Sequence, residues 1–326
     1  MTPVLFIIFT ISASLLLNTI LARLALQYNW CDQPGNAKIH SKPVPFTGGI
    51  GILLTWSCTL LILTTFQPKI PILRLIIPAA AALLIGTFDD FYWKQRTVPG
   101  LKLLLQIALA LTISLLLNTA WHPSPSHSLG ITTFSFAYIL LAINAFNLAD
   151  GLDGLAGGQA LISFLGLSTV YTLLNKNEFL LPLLLLVATI TGFLILNLQH
   201  PARLFLGDGG SHLLGATFAT FTLNLMSLRV GEKEISTPSP LSHWCAIDIW
   251  TAIALLLFIG APLVDLIWVT IRRIYLHKPL FSSDRNHLYD ILATTGLGPR
   301  RTVFVFWFGH ALLVLTGATM LLLEVG

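Results

Sequence analysis

The stretch NAFNLADGLDGLAGG, residues 144–158, sets two asparagines, two aspartates and four glycines between two long apolar runs. Polar groups at membrane depth are costly and tend to mark function, so this stretch decides between a soluble domain and a membrane bundle with a polar mouth. Its surroundings decide for the bundle. Of 326 residues, 55% are hydrophobic and only 10% charged, too apolar for an ordinary soluble domain of this length. A bilayer core of about 30 Å takes roughly 20 apolar residues per helical span. Ten runs of that order occur, near 3–25, 47–66, 71–88, 101–119, 130–148, 156–175, 179–197, 210–227, 248–271 and 303–323. The expected fold is all-α: a polytopic integral membrane protein of about ten transmembrane helices, one domain over 1–326, with a cytoplasmic arm at about 272–302. The first run reads as a retained helix, because Arg23 follows the apolar stretch and no small-residue cleavage site closes it.

The cations orient the bundle. Loops after odd-numbered runs hold twelve Lys and Arg, and loops after even-numbered runs hold five. Odd loops are therefore expected in the cytoplasm and both termini outside. The same bias accounts for the net charge of +4, which gives no reason to expect a nucleic-acid partner. Three cysteines, Cys31, Cys58 and Cys245, fall in an inner loop, a span and an outer loop, so no disulfide framework is expected.

Eight of the fourteen acids lie in inner loops, and they cluster beside glycines or in pairs at helix ends: FDD (88–90), the opening stretch, and RLFLGDGGS (203–211). Alternating spans would bring all three to one membrane face. Asn144, Asn147, Asp150 and Asp153 recur every third residue, so the first three share one side of a helix leaving the bilayer. The glycines that follow allow a tight turn and close backbone approach to a ligand. The ordinary alternative is a solvated hairpin between two helices. Asp89 and Asp90 are adjacent, so on a helix they diverge by about 100°, and one can bind while the other orients; balancing Lys94 and Arg96 is their plainer role. Asp208, between Gly207 and Gly209, suits an oxygen-ligand cation, and Mg²⁺ held by one or two protein groups plus phosphates fits best, whereas a helix cap with Ser211 is the plainer role.

Lys102 opens the fourth run in GLKLLLQ (100–106), either as a snorkelling anchor or as a cation facing the acids. The arm carries six of the twelve inner cations. Among them Arg272, Arg273, Arg300 and Arg301 are read as partners of anionic headgroups. Arg285 and His287, two apart, face the same way on an extended segment and read as a phosphate grip; the plainer reading is an amphipathic helix capped at Ser282 or Ser283. Asp265, inside the ninth run, is expected to hold a neighbouring Arg or an inner helix end.

Taken in order, HSKPVPFTGGIGI (40–52), FDD, GLKLLLQ, NAFNLADGLDGLAGG, RLFLGDGGS and FSSDRNHLYDIL (281–292) resemble the polyprenyl-phosphate N-acetylhexosamine-1-phosphate transferases. That superfamily includes phospho-N-acetylmuramoyl-pentapeptide transferase and the enzymes that initiate O-antigen, enterobacterial common antigen and teichoic acid linkage synthesis. The DRNH form of the last motif looks more like the latter group. The resemblance implies transfer of a sugar-1-phosphate from a UDP-N-acetylhexosamine to a polyprenyl phosphate at the cytoplasmic face of a bacterial inner membrane, releasing UMP. It implies Mg²⁺, with Mn²⁺ as a substitute, held by Asp208 and Asn147. Phe205 would stack on uracil, and Asp153 with Asp150 and Asn144 would contact the substrate. Lys102, Arg285 and His287 would hold the diphosphate. Asp89 or Asp90 would place or deprotonate the lipid phosphate, and His40 would shape the inner mouth. A homodimer is left open. Tyr289 and Asp290 depart from the histidine pair of many relatives, and Lys94 stands one place late, which weakens any role for these three.

Rival classes predict other patterns. A secondary transporter of a phosphorylated or anionic solute needs mid-bilayer binding groups and two similar halves, and an intramembrane aspartyl protease needs two aspartates deep in separate spans. A scaffold needs no ordered acids beside glycines.

Overall fold

The computed structural model describes residues 3–34, 41–68, 70–93, 99–121, 128–236, 249–280 and 285–323. The chain is almost wholly helical: α1 (Pro3–Gln27), α2 (Gly48–Thr64), α3 (Ile72–Phe88), α4 (Pro99–Trp121), α5 (Ser128–Leu148), α6 (Leu155–Leu173), α7 (Asn177–Asn197), α8 (Gly207–Ser236), α9 (Ile249–Leu257), α10 (Gly260–Tyr275), α11 (Leu288–Leu292) and α12 (Gly298–Leu323). Two short strands, β1 (Cys31–Asp32) and β2 (Val44–Pro45), pair antiparallel between α1 and α2. One π-helical turn, Asp89–Trp93, extends α3, and another, Ala293–Leu297, leads into α12.

Every one of the ten apolar runs forms helix. Their ability to cross a bilayer differs. Six described helical stretches are long and apolar enough by themselves, and the α9–α10 pair makes a seventh if it counts as one span. The other three fall short for physical reasons. α2 has only 17 residues. α8 lies inside the bundle against α2, α3, α5 and α6, and its residues from Gly209 to Ser227 are all buried. α6 is likewise buried along most of its length. Helices wrapped by protein need no lipid-facing surface, so they can carry Ser, Thr, Gln, Asn and Gly, which also let membrane helices approach closely. By contrast α1 exposes Val4, Leu5, Ile8, Phe9, Leu16, Ile20 and Leu24.

The ninth run is not the straight span expected: α9 and α10 meet at 88°. Pro262 sits in the first turn of α10, where its missing N–H leaves no bond unmade. Other helices take up the freed backbone groups, since Ser163 Oγ donates to Phe258 O at 2.7 Å and Ala261 N donates to His310 Nδ1 at 3.4 Å. Such substitutes are what a broken helix needs at membrane depth.

The N-terminus of α8 is fixed by backbone. Phe205 N donates to Pro45 O at 2.7 Å, Gly48 N to Phe205 O at 3.1 Å, and Gly49 N to Leu206 O at 3.0 Å. Gly207 then turns into α8 with φ of 76°. A Cβ on Gly86 of α3 would stand 2.2 Å from the Asp208 carbonyl oxygen, so that crossing excludes any side chain. Replacing Gly86 by Ala is expected to destabilise the solubilised protein by about 1–3 kcal/mol, as overpacked sites do. Gly100→Ala, with nothing within 4 Å, should leave the thermal midpoint unchanged; equal midpoints for the two variants would contradict the close crossing.

Candidate functional site

Four helices deliver polar side chains to one point. Lys102 Nζ, from the first turn of α4, lies 2.5 Å from Asp89 Oδ2, 3.0 Å from Asp208 Oδ2 and 3.3 Å from Asn147 Oδ1. Asn147 Nδ2, near the end of α5, donates to Asp208 Oδ1 at 3.2 Å and to Ser211 Oγ at 3.0 Å. The Lys102, Asp89 and Asp208 side chains are only 19%, 14% and 21% exposed. An ammonium so far from bulk water needs oxygens around it, which separates this arrangement from a snorkelling lysine. Lys102 therefore faces the acids.

The adjacent aspartates part as their helical spacing requires. Asp89 turns to Lys102, while Asp90 is buried and its Oδ2 accepts from Gly209 N at 3.1 Å. A carboxylate on the free N–H groups of a helix start is favoured by the helix dipole. Asp90 thus anchors the turn that carries Asp208.

Asp208 is also on the wall of a cavity of about 910 Å³. Asp150, Asp153, Phe205 and Arg285 line it too, together with His200, Arg300, Arg301 and Trp307. Asn197 holds two parts of that wall, since its Oδ1 accepts from Gly154 N at 2.7 Å and its Nδ2 donates to Leu204 O at 2.8 Å. Gly154, with φ of 83°, makes the turn between the acids and α6.

Several expectations need correcting. His287 does not turn with Arg285 toward the cavity. It is 6% exposed, its Nδ1 is 2.7 Å from Asp265 Oδ2, and Leu288 N donates to Asp265 Oδ1 at 2.7 Å. The segment is not a continuing strand at that point: α11 begins at Leu288, and Asp265 caps it, which draws His287 inward. Asp265 accordingly holds an inner helix end. Asn144 lies off the cavity wall, with Nδ2 donating to Gln106 Oε1 at 3.2 Å and to Leu140 O at 2.8 Å. Arg300 and Arg301, read as headgroup partners, line the cavity from the first turn of α12. Tyr289 ties the arm to the acid loop: its hydroxyl donates to Leu148 O at 3.1 Å, and its ring packs with Leu152, Leu155 and Val303. His40, Lys94 and Asp284 lie outside the described residues.

Gln106, Asn197 and His212 were not singled out by sequence. Gln106 and His212 do carry a signal, each standing four residues after a member of the ionic cluster on the same helix.

The oxygens of Asp89, Asp208 and Asn147 form a hard donor set of the kind a magnesium ion takes, with one or two carboxylates from protein. Among the described residues no group of three or more His, Cys, Asp and Glu is placed to cage a metal by itself.

The signature of glycosyl transferase family 4 matches residues 72–226, a stretch that includes Asp89, Asp90, Lys102, Asn147, Asp150, Asp153 and Asp208. The chain is 28% identical over 321 residues, 94% of its length and 83% of the relative's, to a probable undecaprenyl-phosphate N-acetylglucosaminyl 1-phosphate transferase of Bacillus subtilis. It is 27% identical to the undecaprenyl-phosphate alpha-N-acetylglucosaminyl 1-phosphate transferase of Yersinia pestis, covering 90% of this chain and 78% of that one. The protein of the same description from Escherichia coli K12 is 26% identical, with 90% and 77% covered.

Asp265 is the joint of the arm. Replacing it with Ala is expected to free His287 and the start of α11, so that limited proteolysis cuts the solubilised protein between 276 and 290 at least about tenfold faster, in line with loss of a buried charged hydrogen bond worth about 1.5–3 kcal/mol. An unchanged cleavage rate would show that the arm is held elsewhere.

Proposed function

We infer that this chain, a multi-pass membrane protein belonging to glycosyl transferase family 4, transfers N-acetylglucosamine-1-phosphate from UDP-N-acetylglucosamine to undecaprenyl phosphate and releases UMP. The observation that carries the reading is the cluster of Lys102, Asp89, Asn147 and Asp208 opening, through Asp208, onto a large cavity lined by acids, an aromatic ring and arginines. Its position at helix ends, beside the start of α8, also argues against alternating access about a mid-bilayer site.

Both reactants are anions, so catalysis rests mainly on positioning and charge neutralisation. Phe205, half-buried on the cavity wall, stacks on the uracil, and Asp150 and Asp153 receive donors of the nucleoside. Arg285 grips the diphosphate, with Arg300 and Arg301 on the same wall. Lys102 holds the lipid phosphate close to the β-phosphorus, nearly in line with the departing UMP oxygen. The new bond joins a lipid phosphate oxygen to that phosphorus as its bond to the UMP oxygen breaks. A phosphate monoester with second pKa near 6 is largely ionised at neutral pH, so Asp89 need only orient the attacker. Asp208, Asn147 and Asp89 would hold Mg²⁺, which when bound supplies neutralisation of the charge on the phosphate oxygens. The domain is a single transferase unit over 1–326 with its arm at 272–302, placed in a bacterial inner membrane.

We further propose that all ten apolar stretches traverse, which puts both termini outside and the cavity at the cytoplasmic face. With native cysteines replaced, a cysteine at Asn175 should react with an impermeant reagent from outside, and one at Thr295 only after permeabilisation. The reverse pattern would invert the topology.

Membranes holding the protein and undecaprenyl phosphate are expected to release UMP from UDP-N-acetylglucosamine in the presence of Mg²⁺. Asp208→Asn should remove at least about 99% of that release, as loss of a principal electrostatic group does. Phe205→Ala should raise KM for the nucleotide sugar about tenfold or more, the loss of one base stack. UMP release by Asp208→Asn at the wild-type rate would refute the assignment, and a faster turnover of another UDP-sugar would correct the donor.

A further inference from the structure

A second polar layer lies beneath the ionic cluster and plays no part in the steps above. His212 Nδ1 is 2.6 Å from the Asp208 carbonyl oxygen, and His212 Nε2 is 2.8 Å from Gln106 Nε2. A carbonyl only accepts, so the proton sits on Nδ1, and Nε2 accepts from the Gln106 amide. Gln106 Oε1 then accepts from Asn144 Nδ2 at 3.2 Å. Each bond has one donor and one acceptor. His212 is 0% exposed and Gln106 1%, so the link between them is shielded from water, and Asn144 at its end is half-buried.

The sequence offsets give this layer its meaning. Lys102 and Gln106 are four apart on α4, Asp208 and His212 four apart on α8, and Asn147 and Asn144 three apart on α5. The same three helices therefore meet twice, about one helical turn or 5.4 Å apart. α4 packs along α3 and α5, whereas α8 packs along α2, α3, α5 and α6. Side-chain bridges thus tie α4 to α8. With a single bridge, α4 could still roll about its axis and carry the Lys102 ammonium out from among its oxygens. Two bridges one turn apart remove that rotation.

We propose that His212, Gln106 and Asn144 form a positioning rung that fixes the rotation and height of α4 relative to α8 and α5, and so keeps Lys102 centred among Asp89, Asn147 and Asp208. Asn144 is then a positioning residue and not a substrate contact. The effect on turnover rests on the transferase reading; the coupling between helices does not.

The two ring nitrogens have different tasks, and substitutions can separate them. His212→Gln places an amide where Nε2 stands and keeps the link to Gln106. His212→Asn keeps a donor near the Asp208 carbonyl and loses that link. The reaction is UMP release from UDP-N-acetylglucosamine with undecaprenyl phosphate. His212→Asn and His212→Leu are expected to lower kcat about 10- to 100-fold, as loss of an outer support does, with KM for the nucleotide sugar within about threefold, because the nucleotide wall is built elsewhere. His212→Gln should recover most of kcat. A KM effect without a kcat effect, wild-type kcat in His212→Leu, or recovery by Asn in place of Gln would each overturn the rung. Should His212→Leu fold poorly, the paired variant Gln106→Met with His212→Leu removes both partners of the buried link, while Asn144 Nδ2 keeps its bond to Leu140 O and the Asp208 carbonyl keeps Ser211 Oγ; it is expected to restore the thermal midpoint yet still turn over slowly, and wild-type kcat there refutes the proposal. If the wild-type protein releases no UMP, the transferase reading fails by itself. The rung is then read from thermal midpoints of the two single variants and the pair: non-additive shifts support it, and additive shifts reject it.

Discussion

A lysine ammonium at the edge of a membrane bundle is tolerable only where oxygens replace its water, and the polar end of this protein is organised around meeting that demand for Lys102. Asp89 comes from the turn after α3, Asn147 from the end of α5 and Asp208 from the start of α8, so the ion cluster exists only when three other helices are in register with α4. The register is set by backbone first. α8 is pinned at its beginning by strand-like bonds to residues 45–49 and by Asp90 on Gly209 N, and α3 lies against it through Gly86. The same cluster that satisfies the lysine presents the Asp208 carboxyl group to a cavity large enough for a nucleotide sugar.

The arm supplies part of that cavity's lining. It is not a loose strand of cations. Asp265 caps α11 and takes the His287 ring nitrogen, Tyr289 reaches back to Leu148 O, and the first turn of α12 sets Arg300 and Arg301 on the cavity. Asp150 and Asp153 of the turn after α5 and Arg285, Arg300 and Arg301 of the arm thereby line one cavity.

Much of this was legible in the residues because apolar length and helix periodicity are local properties. Each of the ten runs falls on helix, although α8 continues to Ser236, and Asn144 and Asn147 do lie near the end of α5, whereas Asp150, expected on the same helix, falls in the turn after Leu148. The divergence of Asp89 from Asp90 follows from 100° per residue alone. What could not be read depended on partners distant in sequence. His287 was expected to follow Arg285, but a capping aspartate 22 residues earlier captures it. The ninth run does carry a local sign of a break in Gly260 and Pro262, but its 88° angle depends on distant partners, because Ser163 and His310, from α6 and α12, serve its freed backbone groups. Gln106 and His212 look like isolated polar residues in apolar helices until α4 and α8 are laid side by side.

The contact between Gly86 and the Asp208 carbonyl also bears on how such a protein can diversify. A crossing made of bare main chain has no side chain to exchange, and any addition there displaces the start of α8 that carries Asp208. Variation in ligand preference is therefore expected at lining side chains away from this crossing, such as His200, Arg285 and Arg300. The molecule divides into a fixed anvil and an adjustable jaw, and evolutionary change in what it grips is confined to the jaw.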